Sequence, residues 1–164
     1  MKNNYFLESK RMIIKPFERF CVPAYMNAYS AKVQAILHVT DKHYEYEYIC
    51  QKILDKNSFF YILILKTNEF LIGAVEIRQP SYQSQIYAWL NELYWGRSYF
   101  FEAMSALLPH YFKKTGEVFV RARIDIKNKR SLAAFERLGF FQLGIVSGSF
   151  GPQIQLQLNN NQDD

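Results

Sequence analysis

Cysteine is nearly missing from this sequence: Cys21 and Cys50 are the only two in 164 residues. So few and so far apart, they make neither a metal-ligand cluster nor a disulfide framework, and free thiols in a reducing compartment are expected. Histidine is almost as scarce. His38, His43 and His110 lack the spacing of metal ligands, so no metal is expected. No apolar stretch is long enough to cross a bilayer, and the opening MKNNYFLESKR has no run able to act as a signal. The expectation is a cytoplasmic protein with no membrane attachment. Basic runs are short as well, none longer than a pair such as Lys10-Arg11 or Lys113-Lys114. The net charge of +5 therefore favours anionic ligands in general without drawing a nucleic-acid stripe.

What is plentiful is apolar and aromatic. Hydrophobic residues make up 49% of the chain, with 14 Phe and 12 Tyr. That supplies one core of ordinary size. A single domain over residues 1–164 is expected, with its core over about 9–158 and a disordered tail at 159–164.

The periodicities give an order of elements. Arg11–Pro16 reads as a short strand. From Glu18 to His38, Val22, Tyr25, Met26, Tyr29, Val33, Ile36 and Leu37 recur at helical spacing, predicting one amphipathic helix with Pro23 in its first turn. Asp41 is placed to cap a second helix, YEYEYICQKIL. Phe59–Leu65 is a nearly unbroken apolar run, as in a strand covered on both faces. Asn68-Glu69 turns it back into FLIGAVEIR, where Gly73 marks a bulge or a close backbone approach. Gln85–Asn91 is a third strand. A helix over Ser98–Lys114 follows, with Gly116 as its cap and a bend expected at Pro109. Val118–Ile124 alternates as a strand, Lys129–Leu138 is a helix, and FFQLGIV and QIQLQL close the chain around SGSFGP.

Two motifs carry chemistry. Asn128, Ser131, Phe135, Gly139 and Phe140 fit N-x-x-[SA]-x-x-x-[YF]-x-x-x-G-F, and WLNELYWGRSYFFEA precedes them. Together they resemble the GNAT superfamily of acetyl-CoA-dependent N-acetyltransferases, most of all its Rim-type group, which acetylates ribosomal-protein N-termini and small amines. The resemblance implies an α+β fold: a twisted, mostly antiparallel mixed sheet flanked by helices. A splay between the strand ending at Leu90 and the strand Val118–Ile124 would hold the coenzyme. It implies acetyl-CoA as co-substrate, an amine acceptor, and a monomer or homodimer.

The same resemblance assigns residues. The loop Gly96, Arg97, Ser98, Tyr99, Phe100 and Phe101 would present backbone N–H groups and a helix N-terminus to the pyrophosphate, a task suited to both. Leu90 would lend a backbone N–H to the acetyl oxygen. Asn128 would bond the pantetheine arm or the adjoining turn, and Ser131 would stand near the sulfur. Gly139 would turn left-handed so that Phe140 enters the core. Three positions depart from the family: Ser98 replaces a glycine, Phe100 a small residue, and Phe135 a frequent tyrosine. Those departures leave a second reading open, a non-catalytic module that binds a CoA-like ligand or a protein partner.

Ionisable residues are weighed against plainer roles. Glu76, in AVEI, is the candidate base for the amine, against an outward-facing solvated carboxylate. Glu92 is the reserve candidate and otherwise a turn residue. Glu102 reads as structural, favourable near a helix N-terminus. Arg121 and Arg123 either serve an acidic ligand or line a solvated strand face.

Overall fold

In the computed structural model, which describes residues 6–39, 41–79 and 84–160, the chain opens with β1 (Leu7–Glu8) and β2 (Met12–Pro16). A 3-10 turn at Arg19–Cys21 leads into α1 (Val22–Ala28), α2 (Ala31–Ile36) and α3 (Lys42–Lys52). Then come β3 (Ser58–Leu65), β4 (Leu71–Arg78) and β5 (Gln85–Leu90). A second 3-10 turn, Glu92–Tyr94, precedes α4 (Tyr99–Thr115). The chain ends with β6 (Phe119–Asp125), α5 (Lys129–Arg137), β7 (Phe141–Gly148) and β8 (Gly151–Asn159).

The eight strands form one sheet in the order β1-β2-β3-β4-β5-β6-β8-β7. Every neighbouring pair is antiparallel except β5–β6. Two cores lie on its two faces. One packs Met104, Leu107 and Tyr111 of α4 and Leu132 and Phe135 of α5 against Val75, Ile86, Val120 and Leu156. The other packs Val22, Tyr25, Val33 and Ile49 of α1–α3 against Ile62 and Ala74. No helix among the described residues is long and apolar enough to cross a membrane.

The single helix expected over Glu18–His38 is two helices. Tyr29 leaves helical geometry with ψ +80, and Ser30 caps α2 by accepting the Val33 N–H at 3.2 Å. A serine that bonds the backbone locally competes with helix continuation. The apolar periodicity survives the break because both helices face one core. The strand β1 carries no periodicity and was not foreseen, while the turn at Glu92–Tyr94 agrees with the turn reading of Glu92. α4 runs through Pro109 for six more residues, to Thr115, and Gly116 caps it at φ +72. At the C-terminus, Asn159 ends β8 and the Asn160 N–H donates to the Val118 carbonyl, so the expected disordered tail does not begin there. Residues 161–164 lie outside the described residues, as does the His43 side chain.

Gly73 combines both of its expected features. The β3–β4 register slips at Leu63/Ile64, and a methyl group at Gly73 would press on the Trp89 carbonyl and lie 2.6 Å from Leu90 Cδ2. The backbone there has no room to yield. Gly73→Ala should therefore cost about 1–3 kcal/mol, as overpacking does. Thermal or urea unfolding checks this; wild-type stability would show that β5 gives way without cost.

Candidate active site

β5 and β6 pair only through Gln85↔Arg121 and Ile86↔Ala122, although they continue to Leu90 and Asp125. Beyond Ile86 the two parallel strands part and leave a wedge. On the other side of β5, the Asn91 N–H donates to the Ile72 carbonyl at 2.8 Å. Hydrogen bonding alternates along an antiparallel ladder, so the N–H and C=O of Leu90 point away from β4 and into the wedge. The carbonyl accepts the Trp95 indole N–H at 2.8 Å. Trp95 itself lies between two cations, with the Arg130 guanidinium 3.3 Å and the Lys32 ammonium 5.2 Å from its ring centroid.

The loop beside the wedge has an anion-binding shape. Gly96 (φ +73) and Ser98 (φ +59) are both left-handed, and Ser98 is the N-cap of α4. Left-handed residues leading into a helix turn successive N–H groups toward one concavity. Ser98 makes no side-chain cap; its hydroxyl accepts from Arg137 Nη1 at 2.9 Å instead. Serine in this conformation costs on the order of 1 kcal/mol. Arg11 braces the other side. It donates to the Arg97 carbonyl at 2.9 Å and to Glu102 through its own backbone N–H and Nε, both at 2.7 Å. Burial works against the Glu102 charge, but hydrogen bonds from Ser9 and Arg11 outweigh it and hold the carboxyl below its usual range. Tyr99 lies under Arg11 and Phe101 under Arg137. The charges, backbone donors and open space above Gly96 all fit a pyrophosphate.

Phe100 turns away from this loop. Its ring is 5.1 Å from that of Phe135, which is 5.0 Å from that of Phe140. Phe135 and Phe140 are buried. Two departures from the family motif thus meet in one aromatic cluster joining α4, α5 and the entry to β7, and the Phe100 ring does not obstruct the loop. Asn128 caps α5, its Oδ1 accepting the Ser131 N–H at 3.2 Å, which fixes Ser131 half-buried in the first turn. Gly139 has φ +93, the left-handed exit expected of it.

On the opposite face lies a buried polar group. Glu76 is 5% exposed, neither solvated nor outward-facing. Its Oε1 accepts from Ser58 Oγ and Arg78 Nε at 2.8 Å, and its Oε2 from Arg78 Nη2 at 2.9 Å and Tyr48 at 3.3 Å. A carboxylate has about four acceptor positions, and all are taken. Burial pushes the Glu76 pKa up, with the Ser58 hydroxyl and Lys52 pulling it down. Nearby, Tyr25 donates to Glu45 at 3.2 Å and accepts from the Trp89 indole at 3.1 Å. Glu92 accepts from Ser30, which lowers its pKa.

Residues 11–141 match the acetyltransferase (GNAT) domain family. The chain belongs to the GNAT acetyltransferase family. Solved structures agree at the level of the fold. RimL, the ribosomal L7/L12 alpha-N-protein acetyltransferase in complex with coenzyme A, aligns with TM-score 0.84 at 16% identity, over 97% of this chain and 100% of that one. The ribosomal-protein-S5-alanine acetyltransferase of Vibrio fischeri gives 0.78 at 15%, over 96% and 98%. A GNAT-family acetyltransferase of Bacillus anthracis gives 0.80 at 17%, over 94% and 98%. No curated protein matches the sequence.

Within this GNAT domain Trp95 joins the Leu90 carbonyl to Arg130 in the first turn of α5, the turn that Asn128 and Ser131 share, and Arg137 joins α5 to Ser98 of the loop. Glu76 sits apart, on the α1–α3 face. Sequence reasoning missed Trp95 as the partner of the Leu90 carbonyl and Arg11, Arg130 and Arg137 as the cations around the loop. The partners of the three arginines are distant in the chain, and the Trp95–Leu90 bond, only five residues apart, depends on how the chain turns after β5. It also missed Glu45, which lies in the expected second helix and is buried there. Among the described residues no group of His, Cys, Asp and Glu is arranged to hold a metal ion.

Glu45 is 7% exposed, and its pKa is raised by burial and by the Glu76 charge, against the Tyr25 hydrogen bond. A carboxyl whose folded pKa exceeds its unfolded value stabilises the fold below the unfolded value and loses that contribution as pH rises through the folded one. Glu45→Gln removes the charge that burial disfavours. The variant should melt above wild type at pH 8, with the gap closing as pH falls toward 4. A gap unchanged across that range would mean the carboxyl titrates as it does in solution.

Proposed function

We propose that the protein transfers the acetyl group of acetyl-CoA to a primary amine by direct attack, with no covalent enzyme intermediate. One observation carries this reading: the Leu90 N–H points into a wedge that opens beside a left-handed, cation-braced loop at a helix N-terminus. Acetyl-CoA, when bound, supplies an acetyl group activated as a thioester.

The backbone N–H groups of Gly96 to Phe101 hold the pyrophosphate, supported by the positive end of α4 and by Arg11 and Arg137. Phe100 contributes its N–H while its ring stays in the core. The Leu90 N–H is a fixed donor for the acetyl oxygen as negative charge develops there. The β4–β5 ladder pairs Trp89 with Ala74 and so fixes the peptide plane that carries this N–H, which is oriented in advance. Asn128 locks the first turn of α5, which aims the Ser131 hydroxyl at the departing sulfur. Phe135, buried and without a donor, leaves that proton to Ser131 or to water.

Glu76 is our candidate base. An amine of the lysine type has a pKa of about 10.4 and must lose a proton before it attacks. A carboxylate whose pKa burial has raised accepts that proton better than an ordinary one. Its filled acceptor positions route the proton through the Tyr48 hydroxyl or a water in its place. The free thiols Cys21 and Cys50 support a cytoplasmic setting.

Acetyl-CoA at a hundred times its Kd should stabilise the fold by about 2.7 kcal/mol, read as a rise in Tm. No rise at millimolar coenzyme would reject the loop as read. Binding without turnover on any amine would turn the reading to a non-catalytic module. Ser131→Ala should lower kcat roughly 100-fold while leaving coenzyme affinity near wild type, the pattern of an interaction made in the transition state. Glu76→Gln should flatten the rise of rate with pH; an unaltered profile would pass the role of base to water or to Glu92.

A further inference from the structure

The helices α1–α3 cover only part of their face of the sheet. Their core draws on β3 and β4, with Trp89 of β5 at its edge, and includes no residue of β6 or β8. On that bare half, β6 presents Arg121 and Arg123, and β8 presents Gln153, Gln155 and Gln157. None of the five is buried, while Ala122 and Leu156 between them face the α4–α5 core. Cross-strand partners share a face. The register Arg78↔Gln85, Gln85↔Arg121 and Arg121↔Gln157 therefore runs one polar row across the sheet.

The charge on this row is lopsided. Arg78 is matched by Glu76 in a two-point ion pair. Arg121 is held by a neutral partner, the Gln157 side chain, at 2.9 Å. Arg123 is exposed. Asp125, two residues on, spends Oδ1 on the Lys127 N–H at 2.7 Å. Asp125 keeps its charge, so two guanidiniums face one carboxylate on a floor otherwise lined with amides, and the balance stays cationic. At the far end, His38 after α2 stacks on Phe150 in the β7–β8 turn with ring centroids 4.3 Å apart, so two loops meet where the wedge is open.

The coenzyme loop belongs to the α4–α5 side, so an acceptor reaching the wedge comes from the bare side. We propose that the acceptor amine carries an acidic group, read by Arg123 and Arg121. This rests on the acetyltransferase reading above and names its substrate class. The register Ile86↔Ala122 sets Arg123 three residues short of the level of Leu90. Three strand residues span about 10 Å, so the acid lies about three peptide units from the reacting amine. A peptide N-terminus with Asp or Glu near its third position has that form, and a guanidinium recognises its carboxylate with two parallel hydrogen bonds. Polyamines and polycationic amino sugars are repelled by the same floor.

The test compares kcat/KM for Ala-Ala-Asp-Ala-amide, Ala-Ala-Asn-Ala-amide, Ala-Ala-Lys-Ala-amide and spermidine. The Asp peptide should exceed the Asn peptide by about tenfold at low salt, and the Lys peptide and spermidine should be poorest. The preference should shrink as salt screens it, and collapse to within about twofold in Arg123→Gln. Arg121→Gln provides a second variant. Equal values for the three peptides, a preference for Lys or spermidine, or a preference that survives both substitutions would overturn the inference. Acetylation of no amine at all would overturn the transferase reading beneath it.

Discussion

Two parallel strands that pair over only two residues and then separate set up everything else in this molecule. Parting strands expose backbone groups that a sheet would otherwise satisfy, and a buried, unpaired N–H or C=O is costly. Here the Leu90 carbonyl is answered by the Trp95 indole, and the Leu90 N–H is left facing the gap. Gly73 presses against Leu90 from the other side, so the strand end is held between a glycine with no room and a tryptophan with a fixed hydrogen bond. An open wedge lined by one rigid donor is what a thioester carbonyl needs.

The loop proposed to receive the phosphates is positioned from below by aromatic packing. Phe100, Phe135 and Phe140 tie the first turn of α4 to α5 and to the start of β7. The bulky residue at position 100 and the missing hydroxyl at position 135 are therefore one adjustment rather than two separate losses. Above the rings, Arg11 and Arg137 draw on a carbonyl and a hydroxyl of the same loop, which leaves its N–H groups for an anion. The packing below and the charge above are independent, and each fixes a different coordinate of the loop.

The two faces of the sheet divide the chemistry. Cations and helix N-termini gather on the α4–α5 side, while Glu45, Glu76 and their tyrosine partners are buried beneath α1–α3. Desolvation raises both carboxyls, offset at Glu76 by Ser58, Arg78 and Tyr48 and at Glu45 by the Tyr25 hydroxyl. The uncovered part of that same face sets Arg121 and Arg123 against the single carboxylate of Asp125.

Much of the fold was legible because periodicity is local. The apolar run Phe59–Leu65, the α4 stripe of Met104, Leu107 and Tyr111, and the exit at Gly139 each state their role within a few residues. The left-handed entry to α4 and the Asn128 cap of α5 fall within contiguous motifs, so the residues proposed for the coenzyme could be named from the sequence. The break at Ser30 was not, because helix periodicity carries across a cap when both segments face one core. Nor could the sequence show that Glu76 is buried with every acceptor position filled, or that Arg11 and Arg137 converge on one loop. Those outcomes join residues dozens of positions apart, and only the sheet register and the packing of helices on it bring them within hydrogen-bonding distance.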